Sequence, residues 1–148
     1  MSQSSREFVE RLPWYLRAVL VVGGATAVTL LVTAWMLRAD SRGYGTHQQL
    51  GLPPCTFQQL FDMRCPSCGM TTSWALITRG QVAAAFQANV GGAMLAVLAA
   101  GIGPWCFASG VRGRWCGVQL NEWVALITLI AVMTVTIMDW CVRLWWSG

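Results

Sequence analysis

The chain has 148 residues, of which 55% are hydrophobic and only 11% charged, against about 25% charged in an ordinary soluble domain. A soluble domain of this size cannot hide so much apolar surface, so composition points to a membrane protein. The net charge of +4 comes entirely from arginine, scattered without a stripe or patch, and there is no glycine-rich phosphate loop; nucleic acid is therefore not expected as a partner.

Residues 1–15 are polar and mixed in charge (Arg6, Glu7, Glu10, Arg11), which fits a short surface helix. From Ala18 to Leu37 the chain then runs uncharged for about 20 positions, or about 30 Å of helix, the thickness of the hydrocarbon core. A cleaved signal peptide would have a shorter apolar core and a small-residue cleavage site. Thr33-Ala34-Trp35 is a poor site of that kind, so the segment reads as an uncleaved anchor. Residues 38–52 form a polar connector holding Gly43, Gly45, Gly51 and His47, the only histidine. Pro53-Pro54 stops any helix there. Residues 56–63 alternate apolar and polar at roughly helical spacing, as a short amphipathic piece on a membrane surface would.

Next comes Cys65-Pro66-Ser67-Cys68-Gly69-Met70-Thr71-Thr72, followed by an apolar run and a stop at Arg79-Gly80. The spacing predicts a helix from near Ser67 to Arg79, about 20 Å long and too short to span, which must lie in the interface or re-enter the membrane. Residues 82–107 are uncharged, with Gln87 and Asn89 polar in the first half, so the spanning part is Val90 to Phe107. Small residues recur every fourth position at Ala84, Ala88, Gly92, Ala96 and Ala100. Such a ridge lets another helix approach closely, and a second copy or a membrane partner is the expected neighbour. Gly103-Pro104 predicts a kink or a helix end, and 110–119 a loop carrying Arg112, Arg114 and Cys116. Asn121 is a fair N-cap for a last span over 123–142, with Asp139 near its far end, four residues before Arg143. Trp35, Trp105, Trp123, Trp140, Trp145 and Trp146 fall at the ends of the apolar runs, where a membrane interface favours amphipathic rings.

The expected fold is all-α and integral to the membrane: three transmembrane helices (about 18–37, 90–107 and 123–142) plus one short re-entrant or interfacial helix, in a single membrane domain over 1–148. The flanking arginines tie at five a side. If Arg64 and Arg79 belong to the embedded cysteine segment, the tie breaks toward a cytoplasmic N-terminus, in an inner-membrane, multi-pass protein.

Of six cysteines, Cys106 and Cys141 sit in apolar helices, where a free thiol is usually inert filling. Cys55, Cys65 and Cys68 form a C-x9-C-x2-C group among prolines and glycines, where there is no core to fill. Three readings compete. The turn can be structural, a disulfide or hydrogen-bonded bend that fixes the short helix. It can be a redox pair, Cys65 and Cys68, their thiols acidified by the helix start and Cys55 acting as an exchanging thiol. It can hold a metal such as zinc, with Pro66 and Gly69 bending the backbone so both sulfurs face one ion, Cys55 as third ligand, and His47, Asp62 or Cys116 as a weak fourth. Thr71 and Thr72 are expected to return hydrogen bonds to helix carbonyls; the alternative is that they face an anion at the helix start.

The combination of Cys55, Cys65-Pro66-Ser67-Cys68-Gly69-Met70-Thr71, Arg79-Gly80 and an Ala-rich segment ending in Asn89 resembles the bacterial membrane family called domain of unknown function 2752, over residues 52 to 105. That family commonly has Arg where this chain has Thr72 and Pro where it has Val90. The resemblance implies a small polytopic bacterial membrane protein and brings no established activity. The leading expectation is thus a membrane binding or scaffold protein with a structural or metal-holding cysteine turn. It would contact the lipid bilayer and pack through Ala88, Gly92, Ala96 and Ala100. The alternative is a membrane thiol-disulfide oxidoreductase using Cys65 and Cys68. The sequence leaves open whether the protein is an enzyme.

Overall fold

A computed structural model describes residues 11–117 and 121–147. Among them there is no strand. The helices are α1 (Trp14–Met36), α2 (Thr56–Phe61), α3 (Met70–Ile77), α4 (Val82–Ala88), α5 (Val90–Arg112) and α6 (Glu122–Ser147), with a 3-10 turn over Thr46–Leu50. Three of these, Trp14–Met36, Val90–Arg112 and Glu122–Trp145, are long and apolar enough to cross a membrane. Most of the short surface helix expected over 1–15 lies outside the described residues.

Helix α5 is the centre, contacting α1, α3, α4 and α6. Its pairing with α1 is antiparallel and nearly backbone to backbone. A Cβ on Gly24 would lie 2.5 Å from the Phe107 nitrogen, and one on Gly110 would lie 2.9 Å from the Val21 nitrogen. Lipid tails are as apolar as leucine, so close van der Waals contact rather than water exclusion must hold such a pair, and glycine makes it possible. On the other side, a Cβ on Gly91 would overlap the Thr136 side chain of α6.

Two sequence expectations change here. Gly103-Pro104 does not end the helix: α5 runs through Pro104 to Arg112 and ends at Gly113, whose φ of 68° is the left-handed cap. Proline removes one N–H, a loss that neighbouring helices offset inside a bundle, and Gly103 is needed for contact, since its Cβ would stand 2.9 Å from Ala27 Cβ. The loop expected from Gly110 therefore starts later. The small-residue ridge is also spent within the chain. Ala88 and Ala96 are buried, and Gly92 faces Met70 of α3, while Ala100 is exposed. A second copy or partner would have to use another face.

Arginines close helix ends, as cations near orphan carbonyls should. Arg17 donates to Gly110 O at 3.2 Å at the end of α5. Arg79 bridges the ends of α3 and α1, donating to Ala75 O at 2.7 Å and Trp35 O at 2.9 Å. Arg143 donates to Ala88 O at 3.0 Å at the end of α4 and pairs with Asp139. The planar fork suits two acceptors at once, a use lysine serves poorly. Trp35, Trp123 and Trp145 are exposed near helix ends, as interfacial rings would be.

Candidate metal and thiol centre

The Cys65–Gly69 stretch is a series of turns, not the first turn of a helix. Cys68 N–H donates to Cys65 O at 3.0 Å and Met70 N–H to Ser67 O at 3.1 Å. Gly69 then takes φ +89°, and a Cβ there would meet Ala88 O at 2.5 Å and Gly43 O at 2.7 Å. Only glycine satisfies both the left-handed backbone and that space. The short helix accordingly starts at Met70, later than the sequence suggests.

Asn89 holds this turn from below. It is fully buried, in extended backbone between α4 and α5. Its Nδ2 donates to Pro66 O and to Cys68 O, both at 3.0 Å, and its Oδ1 accepts from Gly92 N–H at 2.6 Å as the N-cap of α5. Two acceptors on one side and a donor on the other fix the orientation of the amide. Ser73 Oγ sits within 3.1 Å of the Gly69, Ala85 and Asn89 carbonyls, sharing its single proton among them. Trp140 of α6 donates from Nε1 to Arg64 O at 2.7 Å. The turn is thus clamped from α3, α5 and α6 at the end of the bundle where α1 finishes.

Thr72 does not bond back to a helix carbonyl. Its hydroxyl meets that of Thr46 at 2.8 Å, both buried, and Thr46 Oγ1 also accepts from Asp40 N–H at 3.0 Å. This pair ties the 38–52 connector onto α3. Neither Thr46 nor Ser73 stood out in the sequence, because small hydroxyls carry no periodic signal and their partners are far along the chain.

The clamp brings Cys55, Cys65 and Cys68 together. Their sulfurs all lie within 4.8 Å of one another, and Cys65 Sγ is 3.2 Å from Cys68 Sγ. All three are free thiols, Cys68 buried and the others half-buried. The weak fourth-ligand candidates do not join them: the group contains none of them. His47 Nε2 is 3.2 Å from Pro53 O. Asp62 is exposed in a left-handed turn. Cys116 lies past the far end of α5, beside Ser109 and Arg112.

The thiols differ electrically, in a way the helix-start argument does not anticipate. Cys55 is the N-cap of α2, and the backbone N–H of Gln58 in the first turn pulls its pKa down. Cys68 is pushed up to about 12, chiefly by burial and then by Cys65 alongside. Cys55 is thus shifted toward the thiolate by α2, and Cys68 toward the thiol by its burial.

A cavity of about 240 Å³ opens over the three sulfurs, lined by Tyr44, Gln48, Gln58, Ser67 and Thr71 among others. Two guanidinium groups, Arg42 and Arg64, lie over the Tyr44 ring at 5.3 and 4.4 Å. Arg42 pairs with Asp40 at 2.7 Å and holds that carboxyl down at about 2.

Residues 55–103 match the family model described as Protein of unknown function (DUF2752). That span covers the cysteine turn, the short helices and the first half of α5. It omits α1, and also α6 and the Thr46 connector, which hold the turn and α3 through Trp140 and Thr46. No curated protein and no solved structure matches the chain.

Proposed function

We propose that this is a multi-pass membrane protein whose Cys55, Cys65 and Cys68 bind one thiophilic metal ion of the zinc class. The observation that carries the reading is the convergence of three sulfurs within 4.8 Å from two separate turns, over a turn with no slack. A tetrahedral Zn–S bond of about 2.3 Å sets sulfurs about 3.8 Å apart, so the present spacing needs an adjustment of no more than about 1 Å around an ion. Three thiolates select soft ions over magnesium or calcium. The ion would also give the buried Cys68 a reason to be a thiol: coordination offsets the desolvation that keeps it protonated.

The test is titration of the full chain in detergent, reduced and metal-free, with Co(II). Three sulfur ligands give intense thiolate-to-metal absorption at one equivalent, displaced by Zn(II). Absence of the band, or its persistence in a Cys55→Ser, Cys65→Ser double variant, overturns the reading.

The Cys65–Cys68 contact at 3.2 Å supports a second reading, thiol-disulfide exchange. Oxidation of that pair by a partner protein's disulfide, which is reduced to two thiols, would close a Cys65–Cys68 bridge. Cys55 could then attack it, forming a new bridge and releasing one thiol, and the chain would stay two mass units lighter and leave Co(II) unbound. Concerning topology, a cytoplasmic N-terminus would place this cavity on the outer side, because α1 carries the chain from Leu12 to the cysteine end.

A further inference from the structure

We propose that a metal held by Cys55, Cys65 and Cys68 keeps its fourth position open to the cavity and takes there an external thiolate, so that the centre exchanges ligands instead of being closed. This rests on the metal reading above.

Four observations converge. Among the described residues no fourth histidine, cysteine or carboxylate joins the group. The space over the sulfurs is about 240 Å³, several times the roughly 30 Å³ share of a water molecule, so it admits an organic ligand as well as solvent. Its walls carry neutral hydrogen-bonding groups (Tyr44, Gln48, Gln58, Ser67) that solvate a polar ligand; the one imidazole among them, His47, has its Nε2 3.2 Å from Pro53 O and stands outside the sulfur group. At its rim Arg64 lies over Tyr44 with no carboxylate partner among the described residues, while Arg42 is neutralised by Asp40. That leaves one uncompensated cation where an anion would approach.

Closed four-ligand sites are structural, whereas three protein ligands with one open position are the arrangement of sites that bind or exchange something. A thiolate is the favoured class because the ion is already in soft surroundings and the incoming bond resembles the three it holds. The step balances simply. The thiol loses its proton to solvent, its sulfur forms the fourth metal bond, and the water held there leaves. No electron moves.

The test uses the full-length Co(II)-loaded protein in detergent with 2-mercaptoethanol as the external thiol. The expected result is a saturable shift of the d–d bands, and for the Zn(II) form a change by X-ray absorption from three sulfurs plus one oxygen or nitrogen to four sulfurs. Gln48→Trp, an exposed wall position, should keep Co(II) affinity within about twofold and weaken the thiol response at least tenfold. A spectrum indifferent to millimolar thiol, or a Gln48→Trp response equal to that of the wild type, overturns the open position while leaving the metal reading intact. Failure to bind Co(II) at all overturns the metal reading itself.

Discussion

Asn89→Ala is the sharpest perturbation of the site. Three hydrogen bonds end on this one fully buried amide. Removing it strands the Pro66 and Cys68 carbonyls and the Gly92 N–H, each at about 1–3 kcal/mol when buried and unpaired. One of the three is an N-cap bond, worth about 1 kcal/mol by itself. Partial rehydration from the cavity lowers the sum, and we expect about 3–5 kcal/mol. Much of it should appear as loosening of the cysteine turn, because α5 keeps its contacts with α1 and α6. About 3 kcal/mol corresponds to over a hundredfold in an equilibrium constant, so Co(II) affinity should fall by about that factor. Alkylation of Cys68, normally buried, should speed up correspondingly. Asn89→Asp separates the two roles of the amide: it retains the acceptor for Gly92 N–H but removes both donors, so α5 stays capped while the cysteine turn loosens. The assays are competitive Co(II) titration and mass-resolved alkylation in detergent. An Asn89→Ala protein with Co(II) affinity and Cys68 reactivity within twofold of the wild type would refute the reasoning.

Gly69→Ala should destabilise more than any other single methyl addition near the site, since it adds left-handed strain of about 1–3 kcal/mol to a clash with two carbonyls; thermal unfolding in detergent reads it. Gly24→Val should separate α1 from α5 and unfold the protein at lower temperature, while Gly23→Ala, with nothing within 4 Å, should not; equal melting would show that the close α1–α5 packing is unimportant. In the metal-free protein, Cys55 should alkylate at a lower pH than an ordinary thiol, because its pKa is lowered and the thiolate persists as pH falls, whereas Cys68 should resist until the pH nears 12; a reversed order would refute the assignment of the Gln58 N–H and of burial as causes. Cys55 and Cys116 lie beyond opposite ends of α5, so a membrane-impermeant reagent should label only one of them in intact cells and the other in inverted vesicles; labelling of both from one side would refute the three-span arrangement.

Composition and uncharged run length were enough to mark the three long helices, because a bilayer demands about 20 apolar residues whatever they pack against. The C-x9-C-x2-C spacing and the prolines marked the cysteine stretch as special, and Asn89 was visible as a polar residue at the start of a span. Other features depended on partners distant in the chain. The small-residue ridge was legible as a packing surface, but not that α3 and the chain's own neighbours would cover Ala88, Gly92 and Ala96. The glycines that seat α1, at positions 24, 103 and 110, have a regular seven-residue step only on the α5 side, so periodicity within one helix could not reveal the pair. In the sequence Gly69 looks like part of a bend that opens a helix. Its left-handed φ moves the helix start past Cys68, whereas the acidified thiol, Cys55, owes its shift to the Gln58 N–H of α2. That Cys55 reaches Cys65 and Cys68 at all was decided by tertiary structure. Sequence spacing limits how far apart two sulfurs can be, but only the Asn89, Thr46 and Trp140 contacts, each drawn from a different part of the chain, determine how close they come.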